Sequence, residues 1–181
     1  HGVALALADV PWAARQLWSN DAAEKDGTYY MYFPAKDPDG IFRIGVATSA
    51  SPAGPFTAQP TPIAGSFGID PCVFRDDDGA YYMYFGGLWG GQLQRWRTGS
   101  YDAAEPRDPS DDGPALGPRV ARLTDDMLGF AEPVREIRIL DERGAPITQQ
   151  DRDRRFFEAC WMHRYAGTYY LSYSTGDTHR I

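Results

Sequence analysis

The 181-residue sequence has only two cysteines, Cys72 and Cys160. Two are too few for a disulfide scaffold and their spacing fits no metal site, so isolated buried thiols are the favoured reading, with a single disulfide between them as the alternative. No run approaches the roughly 20 apolar residues that a membrane-crossing helix needs, so no membrane partner is expected. Basic residues are scarce: 18 Lys and Arg against 25 Asp and Glu leave a net charge of -7. That balance excludes nucleic acid and acidic membrane surfaces as partners, since both demand a surplus of cations on one face. Sustained 3.6-residue apolar periodicity is also missing, which excludes a helical architecture. The first residues, His1-Gly2-Val3, carry neither an initiator Met nor a signal pattern, so the sequence leaves export and cellular location open.

Aromatic residues and turn formers are abundant instead. Five Trp, eleven Tyr and nine Phe, with 19 Gly and 14 Pro, favour short aromatic strands joined by tight turns. Residues 25–33, 77–85 and 165–173 resemble one another, each a turn with Gly followed by a Tyr-rich run. The Gly supplies the positive φ of a tight hairpin, and the aromatic run suits a pleated, half-buried surface. Gly27 and Gly79 are 52 residues apart, and Gly79 and Gly167 are 88 apart. A period near 50 residues, each unit built of a few strands, is the mark of a β-propeller. The longer second interval is explained by residues 101–118, rich in Asp, Pro and Gly, which read as an elongated loop. The expected fold is all-β: residues 1–181 form a partial propeller of about three blades, fewer than the about 4 to 8 that close a ring. Open blade edges imply that the chain self-associates, is completed by missing propeller segments, or is unstable alone.

Further strands are predicted at residues 42–49, 93–97 and 135–140, the last followed by a hairpin turn at residues 141–144. One helical turn is predicted at residues 125–128, capped by Thr124.

Three segments bring acids to strand entrances. Asp70 precedes Pro71 just before the second repeat, which suits a fixed acid or an ordinary turn. Glu158 lies among Phe157, Ala159 and Trp161 before the third. Apolar surroundings penalise its charged form and raise its pKa, as a general acid near neutral pH requires; the alternative is a strand residue pointing outward. Trp18 and Asp21 stand before the first repeat. In a propeller the inner strands converge on the axis, so the three acids would meet in one funnel.

These residues carry a family resemblance. The segment from Trp18 to Phe33, the run Ile69-Asp-Pro-Cys-Val-Phe74 with Asp76-Asp-Asp-Gly79, and Phe157-Glu-Ala-Cys-Trp-Met-His163 with Gly167-Thr-Tyr-Tyr170 together resemble glycoside hydrolase family 43 over nearly the whole chain. The stretches from Phe85 to Trp96 and from Ser49 to Phe56 are most similar to its β-xylosidase and α-L-arabinofuranosidase branch. The resemblance implies a five-bladed propeller, here lacking its first and C-terminal blades, from an exo-acting enzyme that releases xylose or arabinose with inversion. By position, Glu158 matches the general acid and Asp70 the residue that tunes and orients it. The general base belongs to an Asp-Pro segment of the first blade, for which Asp9 is a poor substitute, and Asp21 matches a blade-entrance Asp that is not the base. Trp18, Asp21 and Trp89 are the expected substrate-side residues, Trp89 because its flanking glycines leave it accessible. Ser19-Asn20 departs from the family's Ala-Pro before this Asp. The resemblance requires no cofactor and leaves room for a structural calcium ion at the propeller axis. No metal ligands are assigned: Asp76 to Asp78 read as a solvated turn, and His163 and His179 as structural or exposed. The rival readings are a non-catalytic carbohydrate-binding propeller and a related propeller glycosidase for another sugar.

Overall fold

The computed structural model describes residues 2–107 and 112–176, so His179 lies outside the described residues. The chain is almost entirely β, with three short 3-10 turns as its only helical elements among the described residues. Strands β1 (Asp21–Lys25), β2 (Thr28–Lys36), β3 (Phe42–Ser49) and β4 (Thr57–Ala58) form one antiparallel sheet in sequence order. A second sheet repeats that order with β5 (Cys72–Arg75), β6 (Tyr81–Phe85), β7 (Arg119–Arg122) and β8 (Arg135–Glu136). Strands β9 (Glu158–Tyr165) and β10 (Thr168–Ser174) pair as a hairpin. The sheets of the described residues do not close into a ring.

The three turns predicted from the repeats are where the sequence put them. Asp26 and Gly27 (φ 52° and 80°) and Ala166 and Gly167 (φ 48° and 82°) connect β1 to β2 and β9 to β10. Two positive φ values in a two-residue loop match the right-handed twist of the flanking strands. Gly79 (φ 83°) closes the β5–β6 connection by donating its N–H to the Asp76 carbonyl at 3.0 Å.

Alternation along β6 buries Tyr81, Met83 and Phe85 against Tyr32, Ile44 and Val46 of the first sheet. Each such side chain, fully removed from water, contributes roughly 1.5–3 kcal/mol. The opposite face of the first sheet packs Phe33, Ala35 and Ala47 under Val10 and Phe56. A third cluster, with Leu88, Leu93, Phe156, Phe157 and Cys160, joins the second sheet to β9. The first strands of the three sheets are neighbours: β5 packs against both β1 and β9. Hydrogen bonds tie these seams, from Val73 N–H to Asp21 Oδ2 at 2.7 Å and from Met162 N–H to Cys72 Sγ at 3.4 Å.

Three local predictions fail. Residues 93–97 are not a strand: Leu93–Trp96 is a 3-10 turn, entered through Gln92 at φ 66°. Of residues 135–140, only Arg135–Glu136 pairs as a strand, although the predicted turn after it forms, with a Leu140–Pro146 bridge. Residues 125–128 are a non-helical turn with Met127 at φ 64°; Thr124 Oγ1 closes it by accepting from Gly129 N–H at 3.0 Å.

Candidate active site

Ile69, Asp70 and Pro71 lead into β5 along a path that is fixed sterically. Ile69 is buried against two glycines: a Cβ on Gly87 or Gly91 would fall 2.6 or 2.7 Å from its Cγ1. Its carbonyl accepts from Gly86 N–H at 2.8 Å. Asp70 then takes φ 52°, a left-handed conformation that Asp tolerates better than most residues. Its Oδ2 accepts from Ala159 N–H at 3.1 Å, and the Ser19 side chain also bonds to it.

Glu158 opens β9. Its backbone bridges Gly87, and the carbonyl of the preceding Phe157 accepts from Leu88 N–H at 2.8 Å. Opposite, β10 pairs Ser172 with Trp161 and Ser174 with Glu158. Two steps on one strand therefore face three on the other, a β-bulge, and Ala159 absorbs it at φ 56°. Strict alternation would send Glu158 and Trp161 to opposite faces; with the bulge between them, both line one cleft.

That cleft, of about 600 Å³, is walled by Trp18, Asp70, Trp89, Arg107, Glu158 and Trp161, among others. Burial pushes the Glu158 carboxyl above its ordinary range, and the negative charge of Asp70 pushes it the same way. Asp70 is also raised by burial, against the lowering effect of its bonds from Ala159 and Ser19. A carboxyl whose pKa is raised beside a second, hydrogen-bonded carboxyl is suited to donate a proton.

The structure thus brings Asp70, Glu158, Trp18 and Trp89 together. Trp18 is 38% exposed, rests on Phe42 with ring centres 4.7 Å apart, and covers Gly90. Trp89 differs from its expected open presentation, because the Arg107 guanidinium sits 4.3 Å over its ring and Phe157 meets it edge-on. Asp21 does not line the cleft. Its carboxylate serves the β1–β5 seam, where burial raises its pKa against the bond from Val73 N–H. Trp161, 52% exposed, and Arg107 are cleft residues that the sequence reading did not nominate.

Cys72 and Cys160 are free and buried, with the Cys72 thiol pushed up to about 11 by burial. Among the described residues no group of three or more His, Cys, Asp or Glu could hold a metal ion. Asp76 and Asp78 accept hydrogen bonds within their turn, Asp77 pairs with Arg164, and His163 stacks on Tyr170.

Residues 3–180 match the family described as Glycosyl hydrolases family 43. The chain belongs to glycosyl hydrolase family 43. It is 64% identical to a xylosidase/arabinosidase 43A of Humicola insolens, over 100% of this chain and 57% of that protein. It is 58% identical to a xylosidase/arabinosidase of Bacteroides ovatus, over 100% of this chain and 55% of the other. Among solved structures, a family 43 β-xylosidase/α-arabinofuranosidase from a compost microbial metagenome, in complex with xylotriose and calcium-free, superimposes with a TM-score of 0.95 at 67% identity. That match covers 98% of this chain and 55% of the other. A family 43 enzyme from Xanthomonas citri complexed with xylose gives 0.94 at 59% identity, covering 99% and 54%. The chain thus spans a little over half the length of these family 43 relatives.

Proposed function

We propose that this chain supplies the proton-donating half of an inverting, exo-acting glycosidase site for β-xylosides or α-L-arabinofuranosides. The observation that carries the reading is the pairing of Glu158 with Asp70 in one cleft, both raised by burial. Glu158 gives its proton to the glycosidic oxygen as the bond from the anomeric carbon to that oxygen breaks, and the leaving alcohol departs neutral. Water attacks the opposite face of that carbon and yields its proton to a base, for which an inverting site leaves about 6.5 to 9.5 Å between carboxyls. Asp70 is the modulator: its Oδ2 accepts from the amide that follows Glu158, and its charge adds to burial in raising the Glu158 pKa. No residue of this chain is proposed as the base. Trp18 and Trp161 offer partly exposed indole surfaces to sugar rings. The fold proposed around them is a five-bladed ring, to which residues 1–181 contribute about three blades. The xylosidase/arabinosidase relatives and the xylotriose- and xylose-bound neighbours support this substrate class.

The test is hydrolysis of xylobiose and nitrophenyl arabinofuranoside by the protein carrying this chain. Glu158→Gln is expected to lower kcat on xylobiose by about 10²–10⁴-fold, and less on aryl glycosides whose leaving groups need little protonation. Unchanged turnover of xylobiose would sink the assignment. Saccharide binding without turnover in the wild type would favour the carbohydrate-binding reading.

A further inference from the structure

A second cavity, of about 510 Å³, adjoins the cleft and shares Trp89 and Gly90 with it. Its remaining walls include Arg15, Lys36, Arg95, Asp39, Gln92 and Tyr101. The cations are gathered by the fold. Lys36 N–H donates to the Arg15 carbonyl at 2.9 Å, which sets these two residues opposite each other at the end of β2. Arg95 is held by Tyr101, whose hydroxyl accepts from one guanidinium nitrogen at 2.6 Å. Gln92 is spent on scaffold bonds, accepting from Phe42 N–H and donating to the Gly40 carbonyl.

Among the described residues none of Arg15, Lys36 and Arg95 forms an ion pair. Arg95 Nε is buried with no hydrogen-bond partner. Three cations around one acid, the exposed Asp39, are thus concentrated in a chain of net charge -7. Burial lowers the pKa of Lys36, and the charges of Arg15 and Arg95 lower it further. Like charges held together with no ion-pair partner within contact cost energy that a bound anion returns, and guanidinium groups match a carboxylate in geometry as well as charge.

We propose that this pocket binds a carboxylate, the uronic-acid branch of an oligosaccharide seated in the adjoining cleft. The branch assignment rests on the saccharide reading of the cleft given above, because the shared Trp89 and Gly90 wall puts the two ligand positions side by side. Substrates of this class are acidic xylo-oligosaccharides, which the chain would distinguish from neutral ones.

The experiment is calorimetric titration of the protein carrying this chain with three probes: xylotriose, xylotriose bearing a glucuronic-acid branch, and free glucuronate. The branched sugar is expected to bind roughly ten-fold or more tighter than xylotriose, as one charge-assisted contact allows. That advantage should shrink with added salt and vanish in Arg95→Gln. Because Arg95 also anchors Tyr101, Arg15→Gln, at an exposed position, provides a second variant expected to weaken the branched sugar alone. Equal affinity for branched and neutral xylotriose, with no glucuronate binding, overturns the proposal. Free glucuronate binding as tightly as the branched sugar overturns the branch assignment in favour of a small-anion site. Arg95-dependent glucuronate binding without xylotriose binding supports the pocket while the saccharide reading of the cleft fails.

Discussion

Two carboxyl groups in this chain are poised by their surroundings, and their coupling has a measurable sign. With Glu158 as the proposed acid, activity is expected to fall as pH rises through its pKa, which burial and Asp70 both raise. Asp70→Asn removes one negative charge, so the alkaline limb of the kcat profile should move to lower pH; a limb that stays in place would detach Asp70 from the acid. Asn keeps an acceptor for Ala159 N–H and accepts the left-handed backbone at this position. The same variant has a signature in stability. Because folding raises the Asp70 pKa, the native state binds this proton more tightly than the unfolded chain does. Its favourable contribution is therefore complete below the unfolded value of about 3.9 and is lost as pH rises through the raised native value. Thermal melts at about pH 4 and pH 7 should show Asp70→Asn gaining stability relative to wild type toward the higher pH. Both acids were legible in the sequence because each stands at a strand entrance before a repeat. Trp161 was not, since period-2 alternation puts it on the face away from Glu158, and only the bulge at Ala159 reverses that. Arg107 sits in a long loop, where no periodicity announces a direction.

Strands and turns are held to one another by a few contacts that mutation can probe. Asp21→Ala strips the acceptor from Val73 N–H across the β1–β5 seam and should cost about 1–3 kcal/mol in urea unfolding, while Asp21→Asn recovers most of it. Gly87→Ala should cost about 1–3 kcal/mol, because the added methyl meets Ile69, which Gly91 prevents from retreating. Combining it with Ile69→Val, which removes the outermost methyl of that contact, should return part of the loss; a neutral Gly87→Ala would show that the segment leading to Asp70 is looser than its packing indicates. Strand β3 was readable to its end residues, since Phe42–Ser49 is long, β-branched in part and bounded by turn residues. Residues 93–97 were misread because a short apolar alternation also fits a 3-10 turn, here closed by Leu93 N–H to the Gly87 carbonyl and Trp89 N–H to Gln94 Oε1, at 2.9 Å each. Side chains that bond to their own loop leave no periodic trace.

At the scale of the molecule, two sheets have four strands, whereas β9 and β10 pair only with each other among the described residues. That hairpin carries Trp161, Tyr165, Tyr169 and Tyr170, all at least 45% exposed. An unpaired edge with exposed aromatics is a template for further strands, so the isolated 181-residue chain should sediment as self-associated species or melt without cooperativity. A monodisperse monomer with a cooperative transition would contradict this. The sequence by itself determined the all-β class, the three hairpin turns and the placement of Asp70 and Glu158 at strand entrances, because each depends on a local property: positive φ at Gly, aromatic strand propensity, or a carboxyl beside apolar neighbours. Only the tertiary structure decided that Asp21 binds a neighbouring strand, that Arg107 covers Trp89, and that Arg15, Lys36 and Arg95 surround one pocket. The physical reason is that these relations join residues up to about eighty positions apart, through strand register, a bulge and sheet packing, none of which is encoded within a single turn or strand.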